Sequence, residues 1–176
     1  YDIMTTLGIG RADVSKSIWL VVEAINQTSF FSMKFPQDHD DQHRLVRQFT
    51  KKSAAGFDCW VGAVDGILIW IHRPSEDDAA AAGCGPAKFF CGRKHKYGLN
   101  CQAVCDARGR FMDMSILFPG STSDVLSFES STLHHKLQNG LLAPGLCLFG
   151  VNAYINSPFM ATPYSGISGG TKDAYN

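Results

Sequence analysis

The 176-residue sequence holds no run of 18 apolar residues and no basic-then-apolar leader, so neither a membrane span nor a cleaved secretion signal is expected. It carries no net charge, with Lys plus Arg and Asp plus Glu at 16 each. Overall charge therefore argues neither for nor against a nucleic-acid partner, and only local clustering can. Charged residues are scarce at 18%, against 45% hydrophobic, which excludes a disordered chain and fits a single domain with a sizeable core. Paired Cys-x-x-Cys spacing is absent too. Cys101 and Cys105 can share a strand face with Cys84, Cys91 and His95 nearby, but without that spacing a structural zinc is set aside. The six cysteines read as small hydrophobes of a reducing compartment. The chain opens on Tyr1 rather than Met and reads as a fragment of something longer.

What is present falls into two textures. Residues 10–26 repeat apolar side chains at Val14, Ile18, Val21, Val22 and Ile25, a helical period. Gly10 can cap that helix, and Asp13 in its first turn suits the dipole. A second helix is expected after Pro36, capped by Asp40 or Asp41, with Leu45, Val46 and Phe49 on one side. The pattern then changes to strands. Residues 59–72 form the first, and two more are joined as a hairpin by a turn at 107–109. The segment 75–87 has no periodicity and is expected to be a loop. One helix is expected across 122–137, with Val125, Phe128, Leu133 and Leu137 sharing a side, and a short buried strand at 145–151. Helices, three strands, a helix and a further strand suggest a mixed α/β sheet flanked by helices.

Three stretches carry candidate chemistry. In "VGAVDGILIWIHRPS" a lone carboxylate, Asp65, interrupts an apolar run, and burying an ionised carboxylate costs several kcal/mol unless it is compensated. Asp65–Gly66 reads equally as a tight hairpin turn or as part of one continuous strand, because the alternation persists through the glycine. Arg93, Lys94, His95 and Lys96 form the one dense basic cluster, either a solvated strand start or a phosphate contact. Asp124 follows a turn at Gly120 and Ser121, where a capping role near the helix start is the default.

Taken in order, "GAVDG", "GRKHKYGLNCQAVCDARGRF", "FPGSTSDVLSFESSTL" and "LFGVNAYINSPFMATPY" resemble the motifs of Harbinger-type DDE transposases and the nucleases derived from them. The resemblance covers roughly residues 5–176. It implies a ribonuclease H-like mixed sheet flanked by helices, with an N-terminal helix-turn-helix remnant at 1–28, a linking helix within 29–56 and the nuclease domain at 57–176, truncated at its C-terminus. It implies divalent-metal-dependent DNA cleavage (Mg²⁺ or Mn²⁺), a nuclear protein (with the cytoplasm as alternative) that has DNA as partner, and a separate DNA-binding protein as a further candidate partner. Asp65 and Asp124 are the implied metal-coordinating, catalytic acids, and Arg93, Lys94 and Lys96 the implied DNA-backbone contacts.

Such chemistry needs several convergent carboxylates, because in-line cleavage uses two ions roughly 3.5–4 Å apart with octahedral oxygen ligands. The sequence departs from the family pattern here. Val151 stands where an acid is expected after Gly150, and the later Arg-x-x-x-Glu helix does not arrive before Asn176. The polypeptide is therefore expected to lack nuclease activity. The alternative is a non-catalytic DNA- or protein-binding module that keeps the fold.

Overall fold

A computed structural model describes residues 6–164. The chain divides into two compact units, 1–34 and 35–176. The smaller contains helix α1 (Arg11–Gln27), which starts at Gly10 without a side-chain cap and buries none of its residues. Its apolar positions, Ile18, Val21 and Ile25 among them, are exposed. No described helix is long and apolar enough to cross a membrane.

The larger unit begins with α2 (His39–Thr50). Its N-cap is Asp38, whose carboxylate accepts from the amides of Asp40 and Asp41, so the cap lies two residues before the expected start. Capping needs the residue with extended backbone ahead of the first turn, and Asp38 has that conformation. Gln42 on this helix is fully buried. Its amide donates to the carbonyl of Leu141 at 2.8 Å and its oxygen accepts from the amide of Ala143 at 2.8 Å, tying α2 to a segment a hundred residues away.

Six strands follow in one mixed sheet: β1 (Trp60–Trp70), β2 (Phe90–Cys91), β3 (Lys96–Cys105), β4 (Phe111–Pro119), β5 (Cys147–Gly150) and β6 (Met160–Ala161). The centre is β1, antiparallel to β3 on one side and parallel to β5 on the other. Beyond β3 lie β4 and, at its first residues, β2, both antiparallel; beyond β5 lies β6, parallel. The expected mixed sheet is present. The β3–β4 hairpin turns at 107–109 with Gly109 at a φ of 80°. Asp106 secures this turn: its buried carboxylate accepts from the amides of Arg108 and Arg110 and from the Arg110 guanidinium at 2.8 Å.

Two local expectations need correcting. The segment 75–87 is not a plain loop: Ser75 caps α3 (Glu76–Ala81) by accepting from the amide of Asp78, and a 3₁₀ turn follows at Pro86–Phe89. Three acids in the first turn and an alanine run make that helix without any amphipathic period to announce it. The single helix expected at 122–137 is two, α4 (Asp124–Glu129) and α5 (Thr132–Gln138). Ser131 breaks it by capping α5, accepting from the amide of His134 at 3.1 Å. After β5 the chain adds the two-residue strand β6.

Val64 of β1, Val104, Met112 and Leu148 form the main core with Phe128, Leu133 and Leu137 of α4 and α5, Tyr154 and Met160. A smaller cluster joins Val46 of α2 to Val61, Ala143 and Leu146. Both clusters hold the N-terminal half of β1, so its C-terminal half, from Asp65 on, projects past the core.

Candidate functional site

The strand β1 runs unbroken through Asp65 and Gly66, which resolves the choice between hairpin turn and continuous strand. The glycine is needed for space rather than for a turn. A Cβ on Gly66 would stand 2.3 Å from Asp124 Oδ1, 2.7 Å from its Cγ and 2.8 Å from Gln102 Nε2. The backbone of β1 is thus where Asp124, the first residue of α4, docks onto the sheet.

Asp124 is held by an amide relay on β3. Gln102 is the register partner of Gly66 and Asn100 that of Leu68, so both amides face the helices. Asn100 Nδ2 donates to Asp124 Oδ1 at 3.0 Å and to the carbonyl of Thr122 at 2.9 Å. Gln102 Nε2 donates to the same Oδ1 at 3.1 Å and to Asn100 Oδ1 at 2.6 Å. The Tyr154 hydroxyl completes the chain by donating to Gln102 Oε1 at 2.6 Å. Every amide proton of Asn100 and Gln102 is used, as a buried polar network requires. Burial first, and then the negative charges of Asp124 and Asp65, push the Tyr154 phenol above its ordinary range. The phenol therefore stays protonated and serves as a donor.

Asp124 Oδ2 is left facing outward, 4.0 Å from the Arg93 guanidinium, with 18% of the side chain exposed. Asp65 is exposed, and its Oδ1 accepts from the amide of Gly66 at 2.8 Å. The desolvation cost anticipated for an acid in an apolar strand does not arise, because β1 has left the core at this point. Asp65, Asp124, Arg93 and Lys94 all line one groove of about 800 Å³, with Trp70, Asn100 and the 120–123 turn. Arg93, Lys94 and His95 form the turn between β2 and β3, with His95 in the left-handed region at a φ of 52°. Lys96 opens β3 and lies outside the groove lining, its ammonium 5.0 Å from the centroid of the Trp70 ring.

Val151 follows the last residue of β5. Gly150 is the parallel partner of Val64, so Val151 and Asp65 both come one step later at the same end of adjacent strands. Val151 is 42% exposed and offers that end no oxygen. Among the described residues no group of three His, Cys, Asp or Glu side chains is arranged to hold a metal. One Asp124 oxygen already accepts two hydrogen bonds. This donor set does not fit a pair of octahedral divalent ions.

Asn100, Gln102 and Tyr154 were not singled out from sequence, and Gly66 was weighed there only as a turn residue. The available signal was polar Asn100 and Gln102 at alternate positions of an otherwise apolar strand, a small polar stripe on a face destined for burial.

A mixed sheet whose central strand is flanked by an antiparallel hairpin and a parallel strand, with acids gathered at the far end of that central strand, defines a ribonuclease H-like nuclease fold. Residues 64–175 match the family described as DDE superfamily endonuclease, and the chain belongs to that family. It is 28% identical over 157 residues to the Rattus norvegicus protein named "Putative nuclease HARBI1", covering 89% of this chain and 42% of that protein. The Homo sapiens protein of the same name is 27% identical over the same length. "Protein ALP1-like" of Arabidopsis thaliana is 23% identical over 173 residues, 92% of this chain and 40% of that protein. The chain thus spans about two fifths of the length of these curated relatives. No solved structure matches it.

Proposed function

We propose that this chain is a Harbinger transposase-derived, nuclear DNA-binding domain in which the nuclease fold is kept and phosphodiester cleavage is lost. The HARBI1 relatives carry the name of a nuclease, and this chain's place in the DDE superfamily points to divalent cations held by convergent carboxylates. The observation that carries the loss is Val151, at the end of β5 beside the Asp65 end of β1, where a carboxylate would have to stand. Two acids remain, and half of Asp124 is committed to Asn100 and Gln102. What the groove retains suits binding: Arg93 and Lys94 offer phosphate contacts from a projecting turn, and Lys96 lies close by. The helix Arg11–Gln27 fits the remnant of a helix-turn-helix, in keeping with a DNA-associated ancestry.

A plasmid-nicking assay with Mg²⁺ or Mn²⁺ tests the loss. No conversion of supercoiled plasmid is expected from the purified chain. Metal-dependent turnover that disappears in Asp65→Ala would show that the two remaining acids suffice. Binding is tested separately by salt titration: neutralising Arg93 and Lys94 should lower the slope of log affinity on log salt by about 0.9 per lost duplex phosphate contact.

A further inference from the structure

We propose that the groove takes a DNA strand carrying an unpaired base, and that Trp70 is the platform on which that base stacks. The proposal rests on the DNA-binding reading above and adds to it the state of the strand.

Trp70 is the last residue of β1 and belongs to neither core cluster. It is 67% exposed, yet it lines the same groove as Arg93, Lys94, Asp65 and Asp124. Its neighbour across the sheet is Gly98, so no side chain from the register partner covers the indole. A large, mostly exposed aromatic in a groove that carries two cations beside two acids contributes little to folding, and its open surface is available to a ligand with a π-face. Lys96 sits over the ring at 5.0 Å, so the platform carries its own cation.

The chemistry selects the ligand. Bases inside a duplex are stacked on each other and cannot reach an indole; a splayed or single-stranded base can. The projecting turn with Arg93 and Lys94 supplies the cations that track a backbone, and Trp70 supplies the stacking surface. A turn carrying cations beside an aromatic platform is the combination that holds single strands without reading their sequence.

The full 176-residue chain is titrated at low salt with a labelled oligothymidine strand and with a blunt duplex of equal length, read by fluorescence anisotropy. The single strand should bind more tightly. Trp70→Ala should weaken the single strand roughly tenfold and leave the duplex within about twofold, and Trp70→Phe, which keeps a π-face, should retain most of the affinity. Arg93→Gln with Lys94→Gln should weaken both ligands and flatten both salt dependences. If the double variant binds both ligands as the parent does, the DNA-binding reading itself fails. If the double variant behaves as expected but Trp70→Ala leaves the single-strand to duplex ratio unchanged, the stacking proposal alone is overturned. A matched oligouridine strand binding more than about tenfold tighter would overturn the assignment to DNA, because stacking of this kind does not discriminate by sugar.

Discussion

Replacing Gly66 by alanine tests the docking of Asp124 onto the sheet. The added Cβ would lie 2.3 Å from Asp124 Oδ1 and 2.8 Å from Gln102 Nε2, so one of them must move. Neither is the free end of a flexible side chain. Asp124 is fixed at the start of α4, and Gln102 is held by Asn100, Asp124 and Tyr154. Overpacking of this kind costs about 1–3 kcal/mol. Displacing Asp124 from two amide donors adds roughly 1 kcal/mol for each hydrogen bond lost. Against this, alanine in a strand gains about 0.5–1 kcal/mol over glycine. The net expectation is a loss of about 3 kcal/mol, or a fall in melting temperature of roughly 6–12 °C for a chain of this size. Thermal and urea unfolding followed by circular dichroism measure it. Gly92→Ala is the control, because nothing lies within 4 Å of its added Cβ and its φ is not positive. Asp124→Ala combined with Gly66→Ala should lose less stability than the two single changes summed, since removing the carboxylate removes the collision. A Gly66→Ala variant as stable as Gly92→Ala would refute the account.

Further outcomes follow from the same geometry. Tyr154→Phe leaves Gln102 Oε1 without its donor and should cost about 1–2 kcal/mol at neutral pH. Because the folded phenol titrates above its ordinary value, its contribution is complete below about pH 10 and fades as pH rises beyond, at up to about 1.4 kcal/mol per unit; urea unfolding across that range should show this slope in the parent and not in Tyr154→Phe. At Asp106, burial pushes the carboxyl up, but hydrogen bonds from the Arg110 backbone and side chain and from the Arg108 amide outweigh it and leave it below the ordinary range. Asp106→Asn should therefore destabilise by about 2 kcal/mol at pH 7, and the gap to the parent should narrow as pH falls below about 4. Val151→Asp should raise Mn²⁺ affinity at least tenfold by calorimetry, and Asp65→Ala in that background should remove the gain; unchanged affinity would mean that the strand ends are too far apart to share an ion.

Much of the scaffold could be read without coordinates because it rests on local and periodic signals. Alternation identified β1, the Ala107–Gly109 turn identified the β3–β4 hairpin, and the apolar spacing identified α1 and α2. Errors fell where the deciding interaction was short-range but aperiodic. Ser75 starts a helix in a stretch with no apolar stripe, and Ser131 divides one apolar stripe between two helices by accepting a single amide hydrogen bond. The two-residue edge strand β6 carries no period at all and so leaves no mark in the sequence pattern.

The site divides the same way. From sequence alone, ordered motifs marked Asp65, Asp124 and the basic cluster as belonging together, and Val151 as the position where an oxygen was wanting. That reading came from the resemblance to Harbinger-type transposases and not from spacing alone. Only the tertiary structure decided that Asp65 is solvent-exposed, that Gly66 serves close packing and not a turn, and that Asn100, Gln102 and Tyr154 hold one face of Asp124. Those facts depend on which residues of β3 lie opposite β1 and where α4 lands on them. Strand pairing brings together side chains 22 to 52 positions apart, and no pattern within a single segment encodes that distance.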